Sequence, residues 1–393
     1  MTDDPSSTPG GRTVGRRPFS VPWGTVLAIF LATRIGFFLV AAVTVNYVPP
    51  SADMTRNFNC PDVHGELLLD VFSRWDSEWY LLIAKEGYDC ADLYSSNPLY
   101  KAGDTAGFFP LYPLCVGAVQ SVVDDWVLSG VIVSNFFFFA ALCLLAALVG
   151  LDHSASVVRM SLLFMAVFPG AIFFGAIYSE SLFLFLALGV VYASRRGWWW
   201  TLLPLGFCVA LCRPLGLVLI VPAAIEFFKA KKFRLDAGIV WFAGFPAGLA
   251  SWMIFCGQIF GDPFAFVARQ TAWRGAMSGP WRAFGRYFDN PAFHSSHSST
   301  IDFAVAVCAV LGVILFVRKV RLSYSVLAVC MVVVPLCTTL WSYTRLTAVV
   351  FPLFIGLAVF SEKRPGVGAV YVCLAPVIAG LLMALFASWR WAG

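Results

Sequence analysis

Residues 128–150 read LSGVIVSNFFFFAALCLLAALVG, a run without a single charged side chain. At 1.5 Å per residue a helix of that length reaches about 35 Å, enough to cross a hydrocarbon core of about 30 Å. The run is continuously apolar rather than alternating, so it does not read as a strand of a transmembrane barrel. Comparable runs lie on both sides, near 21–45, 157–173, 178–194, 198–212, 214–228, 236–258, 300–317, 322–340, 343–360 and 367–388. Together they predict an all-α polytopic membrane protein with about eleven spans.

The composition agrees. Hydrophobic residues make up 60% of the chain and charged ones 12%, with a mean hydropathy of +0.80. A soluble domain has too little polar surface to carry that balance. No basic stripe lies on a water-soluble domain, which excludes a nucleic-acid partner.

Residues 1–22 are polar and hold Arg12, Arg16 and Arg17, as expected of a disordered cytoplasmic tail. The apolar stretch that follows is too long for a signal-peptide core, so it reads as an uncleaved first span. The Arg16-Arg17 pair then acts as positive-inside anchoring rather than as a twin-arginine signal. Residues 23–393 form one transmembrane domain.

Basic clusters orient the spans. Arg195-Arg196, Lys229 with Lys231, Lys232 and Arg234, Arg318-Lys319 with Arg321, and Lys363-Arg364 are expected on the cytoplasmic side. Counting between them puts 46–107, 259–299 and the turn at Trp341–Arg345 outside. The apolar stretch Phe108–Val123 is short and holds Pro110 and Pro113. It is expected to dip into the membrane without crossing, which places the N-terminus inside and the C-terminus outside.

The first outer loop is acidic. Residues 47–107 hold ten of the chain's 22 Asp and Glu residues against four Lys and Arg, most of them in keeping with a solvated surface. Cys60 and Cys90 lie in this loop on the oxidising side, where a disulfide is one option. Within it, residues 70–86 predict a short amphipathic helix at the membrane surface. Val71, Phe72, Trp75, Trp79 and Leu82 recur on one face; Asp76 and Tyr80, one turn apart, share another. The pattern alone fits two roles equally: an anchor helix with a solvated Asp, or a carboxylate presented to a cavity.

Several patches resemble one family. They are Arg74-Trp75-Asp76-Ser77 with Tyr80, Ile83-Ala84 and Gly87-Tyr88; Phe108 through Leu114; Phe168-Pro169 through Tyr178-Ser179-Glu180-Ser181-Leu182-Phe183; Arg213 through Leu217; Gly261-Asp262-Pro263; and Ser342 through Arg345 with Phe351-Pro352-Leu353. In this order they resemble the PIG-V family, the GPI mannosyltransferase 2 type of GT-C glycosyltransferase, and its bacterial members in particular. The chain departs from the eukaryotic pattern at Trp79, where His is usual, and at Arg345-Leu346, where Arg-Tyr is usual.

The resemblance implies a GT-C fold with a large first extracytoplasmic loop carrying interfacial helices, in a bacterial plasma membrane. It implies a polyprenyl-phosphate-mannose donor and a glycolipid or glycan acceptor, joined by inverting displacement. Asp76 then becomes the expected general base, with Glu78 the weaker candidate. Arg213 and Arg345 suit the leaving phosphate, since guanidinium binds phosphate in a bidentate manner and stays charged. Arg74, Tyr80 and Tyr343 join the substrate-contacting set.

Glu180 has two readings: a partner for sugar hydroxyls or for an arginine, or a first-turn acid behind a Ser179 cap. Arg34, in the middle of the first span, requires a partner there; Glu180 is one option. His294 and His297 stand without clustered carboxylates or cysteines, so neither metal nor cofactor is expected. The competing class is a transporter or flippase of lipid-linked sugars, which would show inverted repeats and midplane charges; no convincing repeat is visible.

Overall fold

The computed structural model describes residues 21–51, 67–89, 103–234, 236–289, 299–316 and 318–392. The expected tail up to residue 20, the Cys60–Cys90 pair, much of the acidic loop, and His294 and His297 lie outside the described residues. Those described are helical throughout, with no strand ladder.

Among the described residues, four helices are long and apolar enough to cross a membrane: Trp23–Tyr47, Trp126–Gly150, the continuous segment Ala237–Phe260, and Pro365–Ala387. Trp126–Gly150, the stretch quoted above, is the most enclosed of them. Trp23–Tyr47, Leu111–Val123, Ala155–Ala166 and Glu180–Arg196 all pack on it. Trp23–Tyr47 is peripheral: Leu27, Leu31, Ile35, Leu39 and Val43 form an exposed stripe at four-residue spacing, opposite buried Phe37, Ala41 and Thr44. In a bilayer that stripe faces lipid, so its exposure carries no hydrophobic penalty.

The other predicted spans are shorter and broken, and proline explains most of the breaks. Ala155–Ala166 ends ahead of Pro169, and a 3-10 segment, Pro169–Phe174, carries the chain on. Pro214 opens the 3-10 segment Pro214–Leu219 ahead of the helix Ile220–Ala230. Pro352 helps divide 343–360 into Tyr343–Ala348 and Phe351–Lys363. Proline lacks the amide donor and restricts the residue before it, so at these three points the helix ends and restarts; Pro376, inside Pro365–Ala387, is accommodated without a break. Leu111–Val123 measures about 20 Å, less than a hydrocarbon core. The chain reverses after it at Asp124 (φ +57°), and Asp125 caps the next helix by accepting from the Leu128 amide at 2.8 Å.

The single helix expected over 70–86 is not found. A 3-10 turn, Val71–Ser73, leads to extended Arg74 and to Trp75 with φ +60°, and only then does the helix Asp76–Glu86 begin. Ser73 closes the turn by donating to the Asp70 carbonyl (2.7 Å) and carboxylate (3.0 Å). Local side-chain bonds of this kind compete with helix continuation. The break turns what would have been a mid-helix aspartate into the first residue of a helix.

Candidate functional site

The charged residues of interest all sit at helix breaks. Asp76 and Glu180 each open a helix, Arg213 is the extended residue between Leu202–Cys212 and Pro214–Leu219, and Arg345 lies in the short helix Tyr343–Ala348 entered through Ser342 at φ +59°. At such points the chain changes direction, so polar side chains can turn inward while the apolar helix bodies face lipid or one another. Gly170 lets two of these elements touch: a Cβ there would sit 2.6 Å from the Thr344 carbonyl oxygen.

The side chains form a linked cluster. Arg345 Nη1 donates to Asp76 Oδ2 at 2.5 Å, and its Nε lies 3.1 Å from Glu180 Oε1. Arg213 Nη2 donates to the same Glu180 oxygen at 2.5 Å. One carboxylate therefore bridges two arginines, and one arginine bridges two carboxylates. Glu180 is 0% exposed, whereas the Asp76 side chain keeps 25% of its surface. Glu180 Oε2 is buried and has no hydrogen-bond partner among the described residues. A buried, unpaired carboxylate oxygen is costly unless a donor arrives.

Tyr178 sets the position of Asp76. Its hydroxyl donates to the Arg74 carbonyl and accepts from the Asp76 amide, both at 3.2 Å, and so grips the backbone on either side of Trp75. Its ring lies 5.2 Å from the Arg345 guanidinium, within cation–π range. Tyr80 shares a hydrogen bond with Ser179 at 2.8 Å. Burial pushes the Tyr80 phenol well above its usual range, against the pull of Arg213, so it stays a neutral hydrogen-bonding group. Ser179 is thus engaged with Tyr80 and makes no side-chain cap for the helix behind it.

Other expected members point elsewhere. The Arg74 guanidinium stacks on Trp389 at 4.1 Å and pairs with Asp70 at 3.6 Å; burial lowers its proton affinity, opposed by Asp70 and Glu78. The Tyr343 hydroxyl is buried and donates to the Val332 carbonyl at 2.9 Å. Arg34 donates to the Ala171 carbonyl at 3.2 and 3.3 Å and lies 4.7 Å from the Phe138 ring; it forms no ion pair with Glu180. Glu78 is buried rather than solvated, as is Asp104, which pairs with Arg269 at 2.6 Å. Trp79 stacks on Phe108 at 5.5 Å, so the position where His was usual serves an aromatic contact.

Of two further residues near the cluster, Asp302 has no role in the sequence reading, whereas Arg274 belongs to the mixture of aromatics and arginines in the second outer loop that suits a lipid-headgroup interface. Buried Asp302 accepts from the Thr344 amide at 2.6 Å and so steadies the start of the helix carrying Arg345. An acid opening the apolar run 300–317 was the available signal. Arg274 reaches the same region from the helix Ala265–Arg274, donating to the Trp341 carbonyl at 3.0 Å. Nothing local distinguishes it from the other arginines of its loop. A second network, with Arg195, Arg321 and Ser323 on Glu226 and Arg195 on Asp152, lies at the far end of Glu180–Arg196, about 25 Å away. It joins Arg195 and Arg321 from two basic clusters expected on one side. Among the described residues, no three His, Cys, Asp or Glu gather as metal ligands.

Several apolar helices and a charge cluster built at their breaks define a multi-pass membrane protein with a polar site. The sequence model of the mannosyltransferase (PIG-V) family matches residues 27–229, just over half of the chain, and the chain belongs to that family. It is thereby a membrane mannosyltransferase, working with a sugar donor, an acceptor and membrane lipid. The match covers Asp76, Tyr178, Glu180 and Arg213; Arg274, Asp302 and Arg345 lie beyond it. No curated protein and no solved structure matches the chain.

Proposed function

We propose that this protein transfers mannose from polyprenyl-phosphate-mannose to a hydroxyl of a glycolipid or glycan, on the extracytoplasmic face of a bacterial plasma membrane, within a GT-C arrangement of about eleven spans. The tail 1–22 remains outside that domain. The reaction is a single inverting displacement. Asp76 takes the acceptor O–H proton, the acceptor oxygen attacks the anomeric carbon, and the bond to the phosphate oxygen breaks with its electron pair leaving on the lipid phosphate.

The observation that carries this reading is the state of Asp76. One carboxylate oxygen is held by Arg345, and the side chain is partly exposed at the head of its helix. The other oxygen has no bond among the described residues and is available to a hydroxyl. The unpartnered Oε2 of Glu180 supports a second role, accepting from a sugar hydroxyl. Arg213 and Arg345 border the same space and retain N–H donors for a phosphate. Tyr80, through its hydrogen bond to Ser179 beside Glu180, supports the site from behind, whereas the Arg74 and Tyr343 side chains are directed away from it. Family membership favours this enzyme over a flippase.

The test uses membranes containing the protein, labelled polyprenyl-phosphate-mannose, and mass spectrometry of the labelled product. Wild type is expected to label a discrete acceptor. Asp76→Asn is expected to lose a factor of about 10²–10⁴ in rate while keeping its fold. Near-normal transfer by a folded Asp76→Asn protein rules out the base assignment.

A further inference from the structure

Two turns deliver the Arg345–Asp76 pair, and both are left-handed. Trp75, at φ +60°, stands directly before Asp76 and its helix. Ser342, at φ +59°, opens the short helix that carries Arg345. Side chains other than glycine occupy that backbone region at a cost, and a bulky one persists there only when its surroundings hold it. Contacts from distant segments do so here. Tyr178 bonds the backbone on either side of Trp75, and Asp302 accepts from the Thr344 amide beyond Ser342.

Trp391 touches both turns. Its ring meets Trp75 edge-on at 5.2 Å and Trp341, the residue before Ser342, at 5.9 Å. Both separations fall in the attractive range for edge-to-face aromatic pairs.

The segment that carries Trp391 is built to hold it there. Pro365–Ala387 ends in a Schellman cap: the Trp389 amide donates to the Phe386 carbonyl at 3.2 Å, and the Arg390 amide to the Leu385 carbonyl at 2.9 Å. The left-handed position of such a cap favours glycine, yet here it is Trp389, at φ +60°. What the tryptophan adds is contact. Its ring lies 4.1 Å from the Arg74 guanidinium and 6.3 Å from the Trp75 ring. Outside the cap, the Ser51 amide donates to the Ser388 carbonyl at 2.9 Å, and Arg390 Nη1 to the Pro49 carbonyl at 3.4 Å. Within the last turn of the helix, Phe386 packs on Tyr178 at 6.2 Å. The segment is thus anchored to the end of the first span and reaches the Asp76 turn through three side chains.

We propose that Trp391 is a positioning residue for the transfer reaction, clamping the two turns so that Arg345 and Asp76 meet in one geometry. The inference rests on the mannosyl-transfer reading above. Trp391 acts through Trp75 and Trp341 rather than on the substrate. Without it the two turns relax independently, and the carboxylate and its arginine lose their register. The chemical step then slows more than donor or acceptor binding weakens.

The experiment combines steady-state transfer assays with hydrogen exchange of the purified full chain, read by mass spectrometry. A misplacement of about 1 Å can cost about a hundredfold in rate, and Trp391→Ala is expected to lower kcat at least tenfold with both KM values within threefold. Amides of Arg74–Tyr80 and of Trp341–Arg345 are expected to exchange faster, both together. Trp391→Phe keeps a ring at the position and is expected to fall between the two; should Trp391→Ala not fold, the comparison is read from Trp391→Phe. Trp341→Ala/Trp391→Ala is expected to lose no more in kcat than the worse single variant, because one clamp is removed in either case. A folded Trp391→Ala protein with kcat within twofold of wild type overturns the proposal. So do additive losses in the double variant, or faster exchange at one turn alone. If wild type fails to transfer mannose from polyprenyl-phosphate-mannose while both turns loosen in Trp391→Ala, the reaction assignment fails and the clamp stands.

Discussion

Removing Glu180 is expected to damage this protein more than removing any other single charge in the cluster. Its carboxylate has no exposed surface and lies 2.5 Å from Arg213 and 3.1 Å from Arg345. At an effective dielectric of about 20, each contact is worth roughly 5–7 kcal/mol of Coulomb attraction. Desolvation of the ions offsets much of that. Deleting one partner of a buried pair nevertheless costs about 3–5 kcal/mol, because the charges left behind stay buried. Folded proteins of ordinary stability have only ~5–15 kcal/mol to lose. For a chain this size, a cost of about 2 °C per kcal/mol puts the melting temperature of Glu180→Ala roughly 6–10 °C below wild type. Glu180→Gln keeps a carbonyl acceptor and is expected to lose about half as much. The assay is thermal unfolding of the detergent-solubilised protein, followed by size-exclusion of a fluorescent fusion. The double variant Glu180→Ala/Arg213→Ala separates causes. If unpaired charge is the source of the loss, the double variant melts above Glu180→Ala. A Glu180→Ala protein melting within about 1 °C of wild type, or a double variant losing the sum of both singles, would refute the reasoning.

Three further outcomes are expected. Gly170→Ala pushes a Cβ against the Thr344 carbonyl and displaces the helix carrying Arg345, so overpacking of about 1–3 kcal/mol should accompany at least a tenfold fall in kcat; unchanged kinetics would show that this contact does not position Arg345. Tyr178→Phe releases the Arg74 carbonyl and the Asp76 amide, and steady-state assays should show kcat falling with donor KM nearly unchanged, at a stability cost of about 1–3 kcal/mol. Glu226→Gln, at the opposite end of the bundle, should lower the melting temperature by an amount equivalent to about 2 kcal/mol while kcat and both KM values stay at wild type; altered kinetics would reveal coupling between the two ends.

Much of the architecture was legible in the chain. The uncharged run at 128–150 became the enclosed helix Trp126–Gly150, because a segment without charge or proline has its backbone bonds satisfied only as a helix. Phe108–Val123 was recognisable as too short, and Pro110 stands just ahead of the helix Leu111–Val123. The break inside 70–86 was not legible. Periodicity treats those residues as one helix, whereas the fold interrupts it with a turn closed by Ser73 and a grip supplied by Tyr178 from more than one hundred positions away. Of the two readings given for Glu180, the one with Ser179 as a helix cap is not found: the Ser179 hydroxyl is partnered with Tyr80 instead.

The sequence by itself determined the all-helical, membrane-compatible class, the family, and the types of charge available: Asp76, Glu180, Arg213 and Arg345 all stand out because charges are rare in such a chain. Only the tertiary structure decided which charge meets which. It paired Arg345 with Asp76 across 269 positions, joined Arg213 to Glu180, turned Arg74 and Tyr343 away, and brought Arg274 and Asp302 into the neighbourhood. The reason is physical. Span formation depends on local hydropathy summed over about twenty neighbours, but a buried charge is settled by whichever partner the packing of distant helix ends delivers to it.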